Sequence, residues 1–306
     1  MTQAVSTATP LQSTCAVCGA KVVESVARPA STYAPRGAYR IGTCRACGCG
    51  QTLPVPNEAE LAALYARDYN YDAHVLIAPE KRWRSRRILD AALGTARAGR
   101  VLDVGCMYGY LLEEALARGA VAAVGVELSA GPAKAARERG LDVFCGTIEK
   151  FAEKRPEPFD LVVAQHVLEH VTELGSFLGT AKKLVAPGGS LCICVPNFDA
   201  RARRLFTDAW GWYQTPVHLH HFGLAAMTKL LDDNGFEITH HEARGGDSLF
   251  VLLTLLQSIG RAPGSDVASP GFLSRSLLRT ASAMLRPYYY VGDDELLVVA
   301  RARHEG

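Results

Sequence analysis

From residue 98 onward, short runs of apolar residues alternate with longer segments in which apolar positions recur every three or four residues. The short runs are RVLDVG, AVAAVGVE, LDVFCG, FDLVVAQ and GSLCICVP, and such runs are typical of strands buried on both faces. Segments between them, such as AKAARERG and LEHVTELGSFLGTAKKLV, show helical periodicity. This alternation predicts an α/β fold with a doubly wound, mostly parallel sheet, whose ligand lies at the carboxyl ends of the strands.

The pattern before residue 98 is different and predicts two further regions. Residues 1–56 contain two cysteine pairs separated by a segment with prolines and glycine, which predicts a small metal-bound ribbon. After LPVPNEAE, residues 57–97 hold only one proline, Pro79, and show helical periodicity for much of their length, so we expect a helical linker or cap. The α/β domain would then occupy residues 98–306, with a helical insertion at 247–292.

The cysteines of the ribbon form two Cys-x-x-Cys-Gly turns, Cys15/Cys18 and Cys44/Cys47. This spacing lets the two thiolates of a turn reach one ion, and the glycine permits the positive φ that such a turn needs. We therefore predict a zinc ion held by four thiolates, with a structural role because no coordination position stays open. Cys49 breaks the spacing of the turn but is an alternative ligand, and the sequence does not decide between them.

Composition and charge narrow the classes of function. The net charge of +2 and the 21% of charged residues indicate no overall attraction to nucleic acid or to an anionic membrane. The N-terminal residues lack the pattern of a secretory signal, and no apolar run reaches the roughly 18–20 residues of a spanning helix, so we expect a cytoplasmic protein. The odd count of nine cysteines also argues against a disulfide scaffold.

The segment KRWRSRR, residues 81–87, holds five basic residues and a tryptophan. Such a segment invites a nucleic-acid interpretation, because lysine and arginine bind phosphate. The alternative is a solvated helix face with Ile88 and Leu89 buried, and it fits the balanced charge of the chain better. We therefore expect no nucleic-acid partner and keep RNA binding only as an alternative.

The first strand of the α/β domain ends in the turn VLDVGCMYG, residues 101–109. Gly105 and Gly109 bracket this turn, but the middle glycine of the dinucleotide-binding motif G-x-G-x-x-G is missing. Asp103 stands where it could pair with an ammonium group, and Glu127 ends the second strand, where an acid can accept hydrogen bonds from both ribose hydroxyls. Together these residues predict a site for a nucleoside that carries a cation rather than a phosphate.

These motifs resemble those of the class I S-adenosylmethionine-dependent methyltransferases. The resemblance is carried by VLDVGCMYG, VGVELS, FDLVVAQHVLEHV, LVAPGGSL and the closing ELLVVARA. It implies a seven-stranded sheet and a set of binding residues for S-adenosylmethionine: Asp103, Gly105, Cys106 and Gly109 around its methionyl part, Glu127 on the ribose, Thr147 and Ile148 at the adenine, and Gln165 near the sulfonium. The N-terminal ribbon further resembles a subset of small-molecule methyltransferases from sugar, polysaccharide and natural-product pathways.

Methyl transfer to a hydroxyl requires alignment of the nucleophile and removal of its proton. Two histidine clusters are available for this task, HVLEH after the fourth strand and HLHH further along. We expect His218 or His221 of the second cluster to be the base, with His166 of the first as a further catalytic candidate. Glu169 and His170 are expected to be structural, because the resemblance marks VLEHV as a common helix start.

The sequence thus predicts an enzyme that methylates a hydroxyl, or less often a carbon, of a sugar-like or secondary-metabolite small molecule. One alternative is an RNA methyltransferase that uses the ribbon and residues 81–87, and another is a non-catalytic scaffold on the same fold. The insertion at 247–292 combines apolar and arginine-rich stretches and is expected to form a lid or a homodimer face, with peripheral membrane contact as the alternative.

Overall fold

The computed structural model describes residues 14–27, 38–57, 59–61, 78–96, 99–246 and 287–303, together with the single residues 251, 255, 280 and 284. Most of the insertion predicted at 247–292 and much of the linker predicted at 57–97 lie outside these residues. Within the described part of the chain, no helix has both the length and the apolar character needed to cross a bilayer.

Strands and helices follow one another along the chain as the apolar pattern predicts. The strands are β1 (Val22–Ala27), β2 (Arg40–Cys44), β3 (Gly50–Leu53), β4 (Arg100–Val104), β5 (Ala122–Glu127), β6 (Asp142–Cys145), β7 (Phe159–Gln165), β8 (Val185–Pro196), β9 (His220–His221), β10 (Phe236–Arg244) and β11 (Glu295–Ala302). The helices are α1 (Ala78–Leu93), α2 (Tyr110–Ala117), α3 (Ala130–Glu138), α4 (Ile148–Ala152), α5 (Leu174–Leu184), α6 (Arg201–Phe206), α7 (Leu224–Asp233) and α8 (Tyr288–Val291), with 3₁₀ turns at Leu168–His170 and Thr207–Ala209.

The central sheet has seven strands in the order β10-β11-β8-β7-β4-β5-β6. The neighbours from β8 to β6 pair in parallel, whereas β11 runs antiparallel to both β8 and β10. This arrangement confirms the predicted doubly wound, mostly parallel sheet of seven strands. The chain winds outward in opposite directions from β4 and β7, so the switch point where such sheets bind ligands lies between these two strands.

Both faces of the central sheet are covered, which explains the continuous apolar runs. Consecutive residues of β7 are fully buried, but they belong to different cores: Val162 packs on one face of the sheet and Val163 on the other. Helices α2 and α3 cover the second face, while α5 and α7 cover the first. Strands buried on both faces have no polar side to alternate with the apolar one.

The sheet of the ribbon has four strands, and one of them comes from the α/β domain. Strand β2 pairs antiparallel with both β1 and β3, and β1 and β2 form a hairpin between the two cysteine pairs. Strand β3 then pairs antiparallel with β9, placing Gly50 opposite His221 and Gln51 opposite His220. The fourth strand of the ribbon sheet is therefore supplied by the second histidine cluster of the α/β domain.

The basic segment predicted at 81–87 lies on helix α1. Ile88 and Leu89 are fully buried, as the solvated-face interpretation predicts. Arg84 differs from that interpretation, because its side chain is buried and pairs with the fully buried Glu295. The other arginines of this segment, half-buried or exposed, pair with acids of the same chain: Arg82 with Glu113, Arg86 with Glu114 and Arg87 with Asp90. These pairs neutralise much of the charge on which the RNA alternative depends.

Candidate functional site

The predicted cofactor-binding residues converge at the carboxyl edge of the central sheet. The strand registers place the ends of β6, β5, β4 and β7 side by side. Along this edge the structure places, in order, Thr147, Glu127, Asp103 with Gly105, and Gln165. The backbone N–H of Gly146 donates to the carbonyl of Glu127 at 2.9 Å, which draws the chain after β6 toward the end of β5.

The glycine turn after β4 is fixed by conformation and by packing. Gly105 has a φ of +73°, and a Cβ at this position would lie 2.5 Å from a methyl carbon of Val167. Gly109 has a φ of +75°, and a Cβ there would lie 2.4 Å from a methyl carbon of Leu141. Both positions therefore require glycine, since a side chain would be strained and would clash. The Gly105 contact joins the turn to the segment that follows β7.

The structure places two predicted contact residues differently from the expectation. Cys106 is buried against β5, because a Cβ on Gly125 would lie 2.4 Å from its sulfur. Ile148 is buried in the hydrophobic core. Because their side chains are buried, Cys106 and Ile148 can contact a ligand at the sheet edge mainly through backbone atoms. Thr147 is half-buried and caps helix α4, where its hydroxyl accepts a 3.4 Å hydrogen bond from the N–H of Lys150.

Two buried acids dominate the electrostatics of the strand ends. The carboxylate oxygens of Glu127 accept hydrogen bonds from the backbone N–H groups of Met107 at 2.8 Å and Ser129 at 2.7 Å. Burial and the nearby charge of Glu127 raise the pKa of Asp103 to about 8. A cation bound here would relieve this repulsion, and each Glu127 oxygen keeps lone-pair capacity for a ligand hydroxyl. The acid pair therefore fits a ligand with an ammonium group and hydroxyls.

His166 follows β7 directly and is held between two carboxylates. Its Nδ1 lies 3.2 Å from Oε1 of Glu169 and its Nε2 lies 2.9 Å from Oε1 of Glu295. Burial alone would lower the pKa of His166, but these hydrogen bonds and charges raise it to about 9. The ring also stacks on Trp212, with 5.1 Å between ring centroids. At neutral pH His166 is therefore an imidazolium with both nitrogens engaged, which is not the state of a proton acceptor.

Glu295, which sequence reasoning missed, lies at the centre of this charge cluster. It begins β11 and is fully buried, and it pairs with Arg84 and, at 3.6 Å, with Arg244. Burial would raise the pKa of Glu295, but the charges of Arg84, His166 and Arg244 hold it below its usual range. The signal in the sequence was an acid at the start of the apolar strand ELLVVARA, where an isolated charge requires a partner.

His218 is buried beside the first histidine cluster rather than on an open surface. Its Nδ1 lies 2.8 Å from the carbonyl oxygen of Trp212. One ligand atom each of Glu169, His170 and His218 lie within 4.8 Å of one another. Oε2 of Glu169 is buried and has no hydrogen-bond partner among the described residues. This group could share a proton or hold a small cation.

His221 contacts the ribbon instead. The hydroxyl of Thr52 donates its only hydrogen to the carbonyl of His218 at 2.6 Å, so it must accept from Nε2 of His221 at 3.2 Å. His221 is buried, and burial together with the charge of His220 lowers its pKa to about 3. The engagement of its Nε2 with Thr52 gives His221 a packing role between ribbon and domain and does not favour the predicted role as base.

The predicted zinc ligands form a compact group. The sulfurs of Cys15, Cys18, Cys44 and Cys47 lie within 4.8 Å of one another, with 3.6 Å between Cys15 and Cys47 and 3.5 Å between Cys18 and Cys44. None of the four forms a disulfide. Cys49 is buried beside them, and its thiol lies 3.3 Å from the carbonyl of Gly50. A hydrogen bond from Cys49 is also the main cause that lowers the pKa of Cys15 to about 4.

A cavity of about 420 Å³ lies away from this edge. Its lining includes Arg100, Asp142 and Phe159, which begin β4, β6 and β7. Parallel sheets bind their ligands at the carboxyl ends of the strands. We therefore assign the site to the edge with the acid pair and not to this cavity.

Comparison with known proteins agrees with this geometry. Residues 76–241 match the protein family described as "Methyltransferase domain". A ubiquinone biosynthesis O-methyltransferase of Bradyrhizobium sp. strain ORS 278 is 34% identical over 160 residues, which make up 46% of this chain and 59% of that protein. A protein of the same name from Vibrio atlanticus strain LGP32 is 41% identical over 104 residues, or 32% of this chain and 44% of that protein. The matches thus span about half the length of these curated relatives.

Solved structures share the fold at low sequence identity. A SAM-dependent methyltransferase of Archaeoglobus fulgidus superposes with a TM-score of 0.51 and 18% identity over 76% of this chain and 99% of that chain. A chain from a complex of the Haloferax volcanii Trm112 methyltransferase activator with a methyltransferase gives a TM-score of 0.52 and 16% identity, over 80% of this chain and 98% of that chain. At these identities the likeness concerns the fold alone.

The raised pKa of Asp103 predicts a pH-dependent loss of stability in the ligand-free protein. The folded state binds this proton up to about pH 8, whereas the ordinary value of an aspartate is 3.8. The free energy of unfolding should therefore fall as pH rises from about 4 to 8. Asp103→Asn should make this decrease in the free energy of unfolding smaller, by on the order of 1 kcal/mol or more. Urea unfolding at pH 5 and pH 8 measures the free energy of unfolding at each pH, and Asp142→Asn, at an exposed position, is the control. An identical pH dependence in wild type and Asp103→Asn would show that Asp103 ionises normally.

Proposed function

We propose, because this chain belongs to the methyltransferase domain family, that it transfers a methyl group from S-adenosylmethionine to a hydroxyl oxygen of a small-molecule acceptor. The observation that carries the proposal is the buried acid pair Asp103 and Glu127, which lies at adjacent strand ends beside the glycine turn. The curated relatives are named O-methyltransferases, which supports oxygen as the methylated atom.

The acid pair and the turn would hold the methyl donor. Asp103 would pair with its ammonium group, and Glu127 would accept hydrogen bonds from its ribose hydroxyls. The backbone of the Gly105 to Gly109 turn would lie along its methionyl part, and Gln165 at the end of β7 would border the acceptor side. When bound, S-adenosylmethionine supplies a methyl group on a positively charged sulfur.

We assign the proton acceptor to His218. An N–H at Nδ1 that donates to the carbonyl of Trp212 leaves Nε2 as the nitrogen that can take a proton. Burial and the charges of His170 and His221 hold the pKa of His218 well below its usual value, so the ring is neutral near pH 7. The other two candidates are less suited, because His166 is held as an imidazolium and the Nε2 of His221 already donates to Thr52.

The alternatives find less support. An RNA methyltransferase would need unpaired basic groups to bind the phosphate backbone. The arginines of α1 described above pair with acids of this chain instead. A scaffold that binds no cation would have no use for a second buried acid beside Glu127, since burial and the charge of Glu127 oppose the ionisation of Asp103. The acid pair therefore favours a protein that binds a cationic nucleoside.

We further propose that Cys15, Cys18, Cys44 and Cys47 bind one zinc ion. Four sulfurs drawn from two turns and grouped within 4.8 Å match the ligand set of structural zinc sites. Four thiolates would fill the coordination sphere, so the ion would stabilise the ribbon and take no part in methyl transfer. Cys49 would remain a neighbouring thiol that donates a hydrogen bond to the carbonyl of Gly50.

His218→Gln tests the proton acceptor. We expect turnover to fall by about 10²- to 10⁴-fold because the acceptor hydroxyl keeps its proton. Affinity for S-adenosylhomocysteine should not change. The assay measures S-adenosylhomocysteine formed from S-adenosylmethionine with a panel of hydroxylated small molecules that includes 3,4-dihydroxybenzoate and methyl glucoside. His241→Gln, an exposed histidine on β10, is the control. Wild-type turnover in His218→Gln would remove His218 from this role.

Metal analysis of two cysteine variants tests the zinc proposal. The purified wild-type chain should contain about one zinc ion, Cys15→Ser should lose it, and Cys49→Ser should keep it, because only the first removes one of the four ligands. Elemental mass spectrometry measures the zinc-to-protein ratio, and circular dichroism checks that both variants fold. Loss of zinc from Cys49→Ser with retention in Cys15→Ser would instead make Cys49 the ligand.

A further inference from the structure

The ribbon leads directly from its second cysteine turn into the strand that contacts the histidines. The turn is closed by two backbone hydrogen bonds of 2.9 Å, from Gly48 N–H to the carbonyl of Cys44 and from Cys44 N–H to the carbonyl of Cys49. Strand β3 begins at the next residue, Gly50. Whatever fixes the cysteine turn therefore also fixes the start of β3.

Thr52, in the middle of β3, makes three hydrogen bonds to the second histidine cluster. Its side chain is buried, and its N–H donates to the carbonyl of Leu219 at 3.0 Å. Its hydroxyl donates to the carbonyl of His218 at 2.6 Å and accepts from Nε2 of His221. The peptide groups on both sides of Leu219, the first of which contains the carbonyl of His218, are thus held from the ribbon.

The same segment is held from the side of the candidate site. The N–H of Leu219 donates to the carbonyl of Glu169 at 2.7 Å, and Nδ1 of His218 bonds to the carbonyl of Trp212. Glu169 also contacts His166. His218 therefore lies between the ribbon on one side and the residues that follow β7 on the other.

The contact between β3 and the histidine cluster leaves no free space. A Cβ on Gly50 would lie 2.7 Å from the ring of Phe198 and 2.9 Å from Cβ of His221. Close packing of this kind transmits small shifts of a strand to its neighbour instead of absorbing them. A displacement of β3 would consequently move the backbone of His218.

We propose that Thr52 is a positioning residue for methyl transfer: its hydroxyl, carried by the ribbon, fixes the backbone of His218 and so orients the imidazole toward the acceptor. The inference rests on the proposed function. In the step it serves, the acceptor hydroxyl gives its proton to Nε2 of His218 while its oxygen bonds to the methyl carbon. The carbon–sulfur bond breaks, and its electron pair stays on the sulfur, which becomes neutral. The ribbon is thus part of the catalytic structure and not an appendage.

Three variants of the full, zinc-loaded chain test this inference. Thr52→Val keeps the size of the side chain and removes the hydroxyl, Thr52→Ser keeps the hydroxyl, and Thr43→Val removes a half-buried hydroxyl from the neighbouring strand β2. The measurements are kcat and KM in the acceptor panel, calorimetric affinity for S-adenosylhomocysteine, and the ¹⁵N–¹H spectrum of the histidine rings.

We expect Thr52→Val to lower kcat by about 10- to 100-fold, since small misplacements of a catalytic group have effects of this size. KM for S-adenosylmethionine and the affinity for S-adenosylhomocysteine should stay unchanged. The Nδ1–H signal of His218, identified by its loss in His218→Gln, should shift or broaden. Thr52→Ser should restore both kcat and the signal, and Thr43→Val should resemble wild type.

The outcomes separate this inference from the proposed function. An unchanged His218 signal and unchanged kcat in Thr52→Val, with kcat lost in His218→Gln, would overturn the positioning role while the proton acceptor stands. Wild-type turnover in His218→Gln would instead overturn the proton acceptor, and with it the inference. Equal loss of kcat in Thr52→Val and Thr43→Val would also overturn the positioning role of Thr52, because the effect would then reflect general loosening of the ribbon.

Discussion

The organisation of the site depends on one fully buried negative charge, the carboxylate of Glu295. Burial of an isolated carboxylate is costly, so the groups that neutralise it must be held close by. They come from separate parts of the fold: Arg84 from helix α1, Arg244 from the end of β10, and His166 from the segment after β7. The carboxylate thereby connects helix α1 and the antiparallel edge of the sheet to the end of β7, which belongs to the edge where the predicted cofactor-binding residues lie.

This charge cluster determines how the histidines divide their roles. Because His166 donates from both nitrogens to Glu169 and Glu295, it contributes a fixed positive charge and cannot take a proton. In the proposed reaction, proton transfer then falls to His218, a neutral ring with a nitrogen within 4.8 Å of a carboxylate oxygen of Glu169. The orientation of His218 is set in turn by Thr52 of the ribbon. The charge cluster, the histidines and the cysteine ribbon thus form one connected structure beside the strand ends that hold Asp103 and Glu127.

The sequence predicts the fold and the gathering of the strand-end residues well, and the side-chain contacts around the histidines poorly. Continuous apolar runs predict strands buried on both faces, and strand-end residues such as Asp103 and Glu127 must share an edge once the sheet is parallel. The contacts around the histidines join distant positions: Arg84 and Glu295 are 211 residues apart, and Thr52 and His218 are 166 apart. Local periodicity assigns an arginine to the solvated face of a helix, and only tertiary structure shows its buried partner.

The most direct test of this account is the calorimetric titration of the zinc-loaded protein with S-adenosylhomocysteine, performed in parallel on Glu127→Ala and on Glu138→Ala, an exposed acid of helix α3. The account predicts micromolar binding to the wild type, retained in Glu138→Ala and weakened by at least about tenfold in Glu127→Ala, which corresponds to about 1.4 kcal/mol. Absence of binding to well-folded wild-type protein, or equal binding to both variants, would contradict the assignment of the acid pair as the methyl-donor site.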